Sequence, residues 1–111
     1  MQKVRETKPK LILELGTANG YSGCLLGSEG AELTTIEVNA IIAEEARQNF
    51  KKYGIKAQVL VGDAVEIVKR LAKEKQEYYD IIFIDFAKNK YIDVLENCIK
   101  LVLKGGFIIA D

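Results

Sequence analysis

Glycines and acidic residues recur in this chain where predicted strands end, and their spacing suits ligand chemistry. Gly16, Gly20 and Gly23 come directly after the apolar run of residues 11–15. Glycines in that place let a buried strand turn tightly into a helix, whose first amides can hold a nucleotide-like ligand. Their spacing differs from the G-x-G-x-x-G pattern of dinucleotide sites, which indicates a different nucleotide-like cofactor.

An acidic residue, Glu37, lies roughly 20 residues after Gly16, at the end of the next predicted strand. A carboxylate there can accept hydrogen bonds from both hydroxyls of a ribose bound over the glycine loop. The alternative is a surface acid at a strand end. The glycine loop that precedes it favours the ribose interpretation.

Gly62, Asp63 and Ala64 follow a third apolar strand. Glycine permits close approach to the backbone, so these residues could flank an adenine ring. Asp63 would serve equally well as the N-cap of the next helix, and the two roles are compatible at one helix terminus.

Asp85 and Lys88 follow a fourth apolar strand. A carboxylate there can bind a hard divalent cation, and a lysine shielded from water can accept a proton. A surface salt bridge between the two side chains explains the same spacing equally well.

The composition excludes several classes of protein. Sixteen basic and sixteen acidic residues cancel, so no electrostatic footprint for nucleic acid is expected. No apolar segment reaches the length of a membrane span, and the first ten residues are charged, so we expect a cytoplasmic protein without membrane contact. Histidine, the commonest general base, is absent. Cys24 and Cys98 are predicted to be small buried apolar residues.

Alternating strands and helices must position these residues. We predict strands at residues 11–15, 33–36, 57–61, 81–84 and 107–110. Right-handed crossovers arrange them as an α/β fold, a doubly wound, Rossmann-like parallel sheet in the order 3-2-1-4-5. The carboxyl ends of these strands then share one edge, which gathers Gly16, Glu37, Gly62, Asp85 and Asp111 there.

Apolar periodicity predicts the faces of the intervening helices. The first helix begins at the N-cap Asn39, ends at Gly54 and carries an inner stripe of Ile42, Ala46, Phe50 and Tyr53. The second starts with a capping box of Asp63 and Glu66, ahead of Ala64, Ile67, Val68, Leu71 and Ala72. The third carries Tyr91, Leu95, Ile99 and Val102 and ends at Gly105 and Gly106.

The sequence resembles class I S-adenosylmethionine-dependent methyltransferases, and within them the metal-dependent O-methyltransferases of catechols and caffeoyl-coenzyme A. The matching stretches are residues 13–22, 35–39, 61–64, 84–91 and 103–111. They follow the order of the family motifs and cover nearly the whole chain. The resemblance implies methyl transfer to a hydroxyl of a small acceptor, expected to be a vicinal dihydroxy aromatic.

The resemblance also assigns residues to the cofactors, S-adenosylmethionine and Mg²⁺ or a similar divalent cation. Glu14, Gly16, Thr17, Gly20 and Ser22 would hold the methionine end, with Tyr21 beside it. Glu37 would accept the ribose hydroxyls, with Val38, Gly62, Asp63 and Ala64 around the adenine. Asp85 would lie beside the cofactor and ligate the metal together with Asp111, and Lys88 would be the general base.

The chain departs from the family pattern at both ends. Ten residues precede the first strand, and the sequence ends at Asp111, before the family's C-terminal antiparallel strand pair. We therefore expect residues 1–111 to be a single, incomplete domain whose strand 107–110 could pair in a homodimer. Two alternatives remain: a non-catalytic cofactor-binding or self-associating module, and an NAD-dependent oxidoreductase, which the glycine spacing disfavours.

Overall fold

A computed structural model describes residues 11–16, 31–84 and 88–110 of the chain. These residues form five strands and three helices. In chain order the elements are β1 (Leu11–Leu15), β2 (Glu32–Glu37), α1 (Ala40–Lys52), β3 (Ala57–Val61), α2 (Ala64–Glu74), β4 (Tyr79–Ile84), α3 (Lys88–Leu101) and β5 (Val102–Ala110). The predicted strands are all present, and β2, β4 and β5 are longer than their apolar runs indicated.

The five strands form one parallel sheet in the order β3-β2-β1-β4-β5. This confirms the predicted Rossmann-like order. β1 is central, and its residues Ile12–Leu15 are almost fully buried because both faces of the sheet are covered. From β1 the chain adds β2 and β3 on one side and then β4 and β5 on the other, so the strand order reverses between β1 and β4. In such sheets a ligand crevice lies at the carboxyl ends of the strands at this point.

Two apolar layers cover opposite faces of the sheet. On one face α2 and α3 pack over β1 and β4, around Leu13, Val68 and Ile82. On the other face α1 packs over β2 and β3, around Leu33, Phe50 and Val59. Strand residues alternate between the layers, so Ile12 and Glu14 share the α1 face of the sheet with Leu33 and Thr35.

Helix α1 begins where the sequence predicted. The side-chain oxygen of Asn39 accepts hydrogen bonds from the amides of Ile41 (2.9 Å) and Ile42 (3.1 Å), and Gly54 follows the helix at φ +67°. Ala43, Ala46 and Phe50 are buried. Tyr53 is exposed, so its predicted place on the inner stripe is wrong, because it lies at the C-cap beyond the last turn.

The buried face predicted for α3 is also wrong. Val94, Cys98 and Leu101 are fully buried, whereas Ile99 is 59% exposed. Burial raises the pKa of the Cys98 thiol to about 12, as expected of a small apolar residue without a reactive role. Val102 belongs to β5 rather than to the helix.

Gly105 and Gly106 lie within β5 and do not end α3. A Cβ at Gly106 would stand 2.5 Å from the carbonyl oxygen of Asp80, on the neighbouring strand. Here the register between β4 and β5 shifts, and glycine permits the close backbone contact. None of the helices in the described ranges is long and apolar enough to cross a bilayer.

Candidate functional site

The carboxyl ends of β1, β2 and β3 are joined side by side. The amide of Gly16 donates to the carbonyl oxygen of Ile36 (2.9 Å), and the amide of Gly62 donates to that of Glu37 (2.9 Å). Three predicted site residues, Gly16, Glu37 and Gly62, therefore form a row along one edge of the sheet. Their alignment follows from the parallel register of the strands.

Glycine is required at both turns that leave this edge. Gly16 has φ +95° and Gly62 has φ +152°, values that residues with a side chain rarely adopt. A Cβ at Gly62 would also stand 2.9 Å from Cδ1 of Ile67 in the first turns of α2. The bare backbone at these turns lets a ligand approach the strand ends closely.

Glu37 is the acidic residue in this row. Its side chain is buried, with 9% of its surface exposed, at the end of β2. Its Oε2 atom accepts a hydrogen bond from the backbone amide of Asn39 (2.8 Å). The start of α1 lies just beyond, and the positive end of a helix dipole favours a negative charge there. The arrangement holds a carboxylate, a strong hydrogen-bond acceptor, in a fixed orientation beside the glycine turns.

Glu14 lies inside the sheet, on the central strand. It is only 1% exposed, and its Oε1 atom accepts a hydrogen bond from the hydroxyl of Thr35 (2.9 Å). The two residues are register partners on β1 and β2. Thr35 and Glu37 are two residues apart on one strand, so both carboxylates lie on the α1 face of the sheet.

Apart from Gly62, the residues predicted to surround an adenine lie beyond this row. Val38 is 72% exposed, Asp63 is exposed and Ala64 is half-buried. Asp63 occupies the N-cap position of α2, but its side chain makes no capping hydrogen bond, so the predicted capping box with Glu66 is wrong. In place of a cap, the structure provides an exposed carboxylate next to the Gly62 turn.

Other predicted site residues lie outside the part of the chain that the structure describes: Thr17, Gly20, Tyr21, Ser22, Asp85 and Asp111. Lys88 opens α3, and its side chain also lies outside that part. Within residues 11–16, 31–84 and 88–110 no group of three or more acidic or cysteine side chains is arranged to hold a metal ion. The predicted metal site, Asp85 with Asp111, stays a prediction.

Sequence reasoning missed two groups that hold the site together. The Thr35 hydroxyl orients Glu14, and the Asn39 amide orients Glu37. A polar residue in a strand that is otherwise buried could have drawn attention to Thr35, since such a residue needs a partner. A backbone amide carries no such signal in the sequence.

The donor and acceptor groups in the described part fit S-adenosylmethionine. Glu37 offers a buried acceptor for sugar hydroxyls, and the carboxyl oxygens of Glu14 offer acceptors for a donor such as an amino-acid ammonium. Gly16 and Gly62 place no side chain at their turns, and Val38, next to Glu37, is exposed.

Comparison with known proteins agrees with this fit. A family model described as O-methyltransferase matches residues 3–111. Catechol O-methyltransferase from Mus musculus is 32% identical over 97% of this chain and 44% of its own length. The chain thus spans about half the length of the curated relatives that it matches.

Solved structures give the same result. An O-methyltransferase from Bacillus cereus in complex with SAH (S-adenosylhomocysteine) superimposes with a TM-score of 0.91 at 31% identity, over 99% of this chain and 52% of that one. A putative caffeoyl-CoA O-methyltransferase from Staphylococcus aureus gives a TM-score of 0.86 at 33% identity, over 99% and 53%. Because the family model covers almost the whole sequence, the chain belongs to the O-methyltransferase family.

Proposed function

We propose that this chain forms the S-adenosylmethionine-binding part of an enzyme that methylates a hydroxyl of a small acceptor. The observation that carries the proposal is the buried carboxylate of Glu37, fixed at the end of β2 between the glycine turns of β1 and β3. A carboxylate so placed accepts hydrogen bonds from both hydroxyls of a ribose. The family membership and the SAH-bound relative support the same ligand.

The remaining contacts are assigned along the row of strand ends. Glu14 and Gly16, with Thr17, Gly20 and Ser22, bind the methionine end, and Tyr21 packs beside it. Glu37 binds the ribose, and the adenine lies against Val38, between Gly62 and Ala64. The exposed carboxylate of Asp63, which makes no cap hydrogen bond, supports a polar contact at the adenine edge.

The reaction that this arrangement serves is an in-line displacement at the sulfonium methyl. The S–CH₃ bond breaks as the O–CH₃ bond forms, the acceptor hydroxyl gives up its proton, and S-adenosylhomocysteine leaves. Much of the rate of such a step comes from holding the two reactants in line. Lys88, at the start of α3, is the proposed acceptor of the hydroxyl proton.

A vicinal dihydroxy aromatic is the proposed acceptor, because relatives of this chain are named catechol O-methyltransferases. Two neighbouring oxygens suit chelation of a hard divalent cation, for which Asp85 and Asp111 are the proposed ligands. When bound, such a cation favours the ionised form of an acceptor hydroxyl.

Calorimetric titration with S-adenosylhomocysteine tests the cofactor site. The chain is expected to bind it, and Glu37→Ala is expected to abolish measurable binding. Glu45→Ala, which removes an exposed carboxylate from α1, is the matched control and leaves binding unchanged. Absence of binding by the parent chain, or tighter binding of NADH than of S-adenosylhomocysteine, would contradict the proposal.

Turnover is tested separately with methyl-labelled S-adenosylmethionine and a catechol. Product formation is expected to require Mg²⁺, to stop in the presence of a chelator, and to collapse in Lys88→Ala and Asp85→Ala. A rate that does not depend on metal would contradict the assignment of Asp85 and Asp111, while leaving the cofactor site intact.

Self-association through β5 is a second proposal. β5 is the last strand at its end of the described sheet, and Ile108 and Ile109 on it are only half-buried. Unsatisfied strand edges favour pairing with another strand. Sedimentation at micromolar concentration tests this, and a strict monomer would contradict it.

A further inference from the structure

We propose that Thr35 is a positioning residue for the cofactor: its hydroxyl orients the Glu14 carboxylate toward the ammonium group of the methionine end. The inference rests on the proposed function, since it assigns a ligand group to Glu14. It gives a role to Thr35, to which the matching stretch of residues 35–39 assigned none.

The geometry of the pair is well defined. The Thr35 hydroxyl lies 2.9 Å from Oε1 of Glu14, and both side chains are almost fully buried, at 0% and 1% exposure. They are directly opposite each other in the parallel pair of β1 and β2. A β-branched side chain in a strand has few χ1 rotamers, so the position of the hydroxyl is set by the backbone.

The chemistry of the donor matters as much as its position. A carboxylate removed from water must be hydrogen-bonded, or its burial costs several kcal/mol. A hydroxyl is a neutral donor, so it stabilises one carboxylate oxygen without cancelling the negative charge. That charge is what a cationic ligand group requires. A lysine or arginine in the place of Thr35 would compete with the ligand's ammonium.

Thr35 lies on the same strand, β2, as the residue proposed to bind the other end of the ligand. Glu37 follows two residues later on the same face of the strand, roughly 7 Å away along the backbone. Strand β2 therefore carries both Glu37, the proposed hydrogen-bond acceptor for the ribose, and Thr35, which orients the carboxylate proposed to bind the methionine end. Thr35 is expected to affect the methionine end more than the ribose end, because its hydroxyl donates a hydrogen bond to Glu14.

Binding of two different ligands distinguishes the contribution of the methionine end from that of the adenosine end. S-adenosylhomocysteine has both the adenosine and the amino acid, whereas 5′-methylthioadenosine keeps the adenosine and lacks the amino acid. We expect Thr35→Val, which removes the hydroxyl at nearly constant shape, to weaken S-adenosylhomocysteine roughly 10-fold in calorimetry, as for loss of a hydrogen bond to a charged group. Its affinity for 5′-methylthioadenosine should stay within about two-fold of the parent.

Matched variants test whether the hydroxyl of Thr35 itself is responsible. Thr35→Ser keeps the hydroxyl and is expected to bind S-adenosylhomocysteine within about three-fold of the parent. Thr34→Val changes the neighbouring threonine, which lies on the opposite face of β2, so the ratio of the two affinities should not change. If Thr35→Val does not fold, Thr35→Cys, with its weaker donor, replaces it and should show the same selective loss.

A double-mutant cycle with Glu14→Gln completes the test. If Thr35 acts through the charge of Glu14, Thr35→Val should cost little further affinity in the Glu14→Gln background. Unchanged binding of S-adenosylhomocysteine by Thr35→Val, or equal weakening of both ligands, would overturn the inference. Failure of the proposed function would look different, since the parent chain would then bind neither ligand.

Discussion

The two buried carboxylates of this site are held by different kinds of group. Glu14, inside the central strand, accepts a hydrogen bond from the side chain of Thr35 on the neighbouring strand. Glu37, at the end of β2, accepts one from the backbone amide of Asn39 in its own turn. Substitution of Thr35 can remove the first support together with its side chain, whereas at position 39 only proline, which lacks an N–H, removes the second.

The surroundings of the two charges differ as well. Glu37 lies near the N-terminus of α1, where the helix dipole favours an anion. Glu14 lies within the sheet, on the same face as the apolar residues Ile12 and Leu33. Burial makes a charge on this side chain more expensive and also strengthens its attraction for a cation.

The largest effect is expected for Glu37→Gln. The amide of glutamine offers one neutral acceptor oxygen in place of two charged ones, so about 3 kcal/mol, or about 100-fold in affinity, should be lost. S-adenosylhomocysteine and 5′-methylthioadenosine should weaken equally, because both contain the ribose. Calorimetry with both ligands measures this. Weakening of only one of them would contradict the ribose assignment.

Gly62→Ala should disturb the backbone that supports Glu37. The Gly62 amide bonds the Glu37 carbonyl, and its φ of +152° is strained for alanine. We expect a loss of about 2 kcal/mol in the free energy of unfolding, measured by denaturant titration. Shortening Ile67 to valine removes the Cδ1 atom that lies 2.9 Å from the new Cβ. The double variant should recover only part of the loss, because the strain in φ remains.

Glu14→Gln should separate function from stability. The amide oxygen can still accept the Thr35 hydroxyl, so the fold is expected to remain, and the unfolding temperature should change by less than about 5 °C. Loss of the charge should weaken S-adenosylhomocysteine roughly 10-fold and leave 5′-methylthioadenosine unchanged. Calorimetry and thermal unfolding of the same sample measure both. A large fall in stability would mean that Glu14 is mainly a structural residue.

The sequence was sufficient to predict the strand order, because apolar runs, glycine turns and right-handed crossovers left few alternatives. It was not sufficient for the buried face of α3. Val94 and Leu95, and again Cys98 and Ile99, are adjacent apolar pairs, so two stripes one residue apart fit the helical period equally well. Packing against α2 and the sheet buries Val94 and Cys98. The buried face is therefore determined by tertiary contacts, which the local sequence does not specify.

The candidate site, too, could be predicted from the sequence only in part. The position of Glu37 beside the glycine turns could be predicted because it ends a strand about 20 residues after Gly16. The bond between Thr35 and Glu14 joins residues 21 positions apart and depends on the register of two strands, which no local pattern specifies. The missing cap at Asp63 likewise depends on a side-chain orientation that its spacing from Glu66 does not determine.

Asn39→Ala should have the smallest effect on binding. The Asn39 side chain caps α1 through the amides of Ile41 and Ile42, whereas its backbone amide holds Glu37. Alanine removes the cap and keeps the amide, so stability should fall by about 1 kcal/mol while affinity for S-adenosylhomocysteine changes by less than about three-fold. Asn39→Asp, which restores a capping oxygen, should recover the stability. An affinity loss as large as that of Glu37→Gln would show that the capped helix, and not the amide alone, orients the carboxylate.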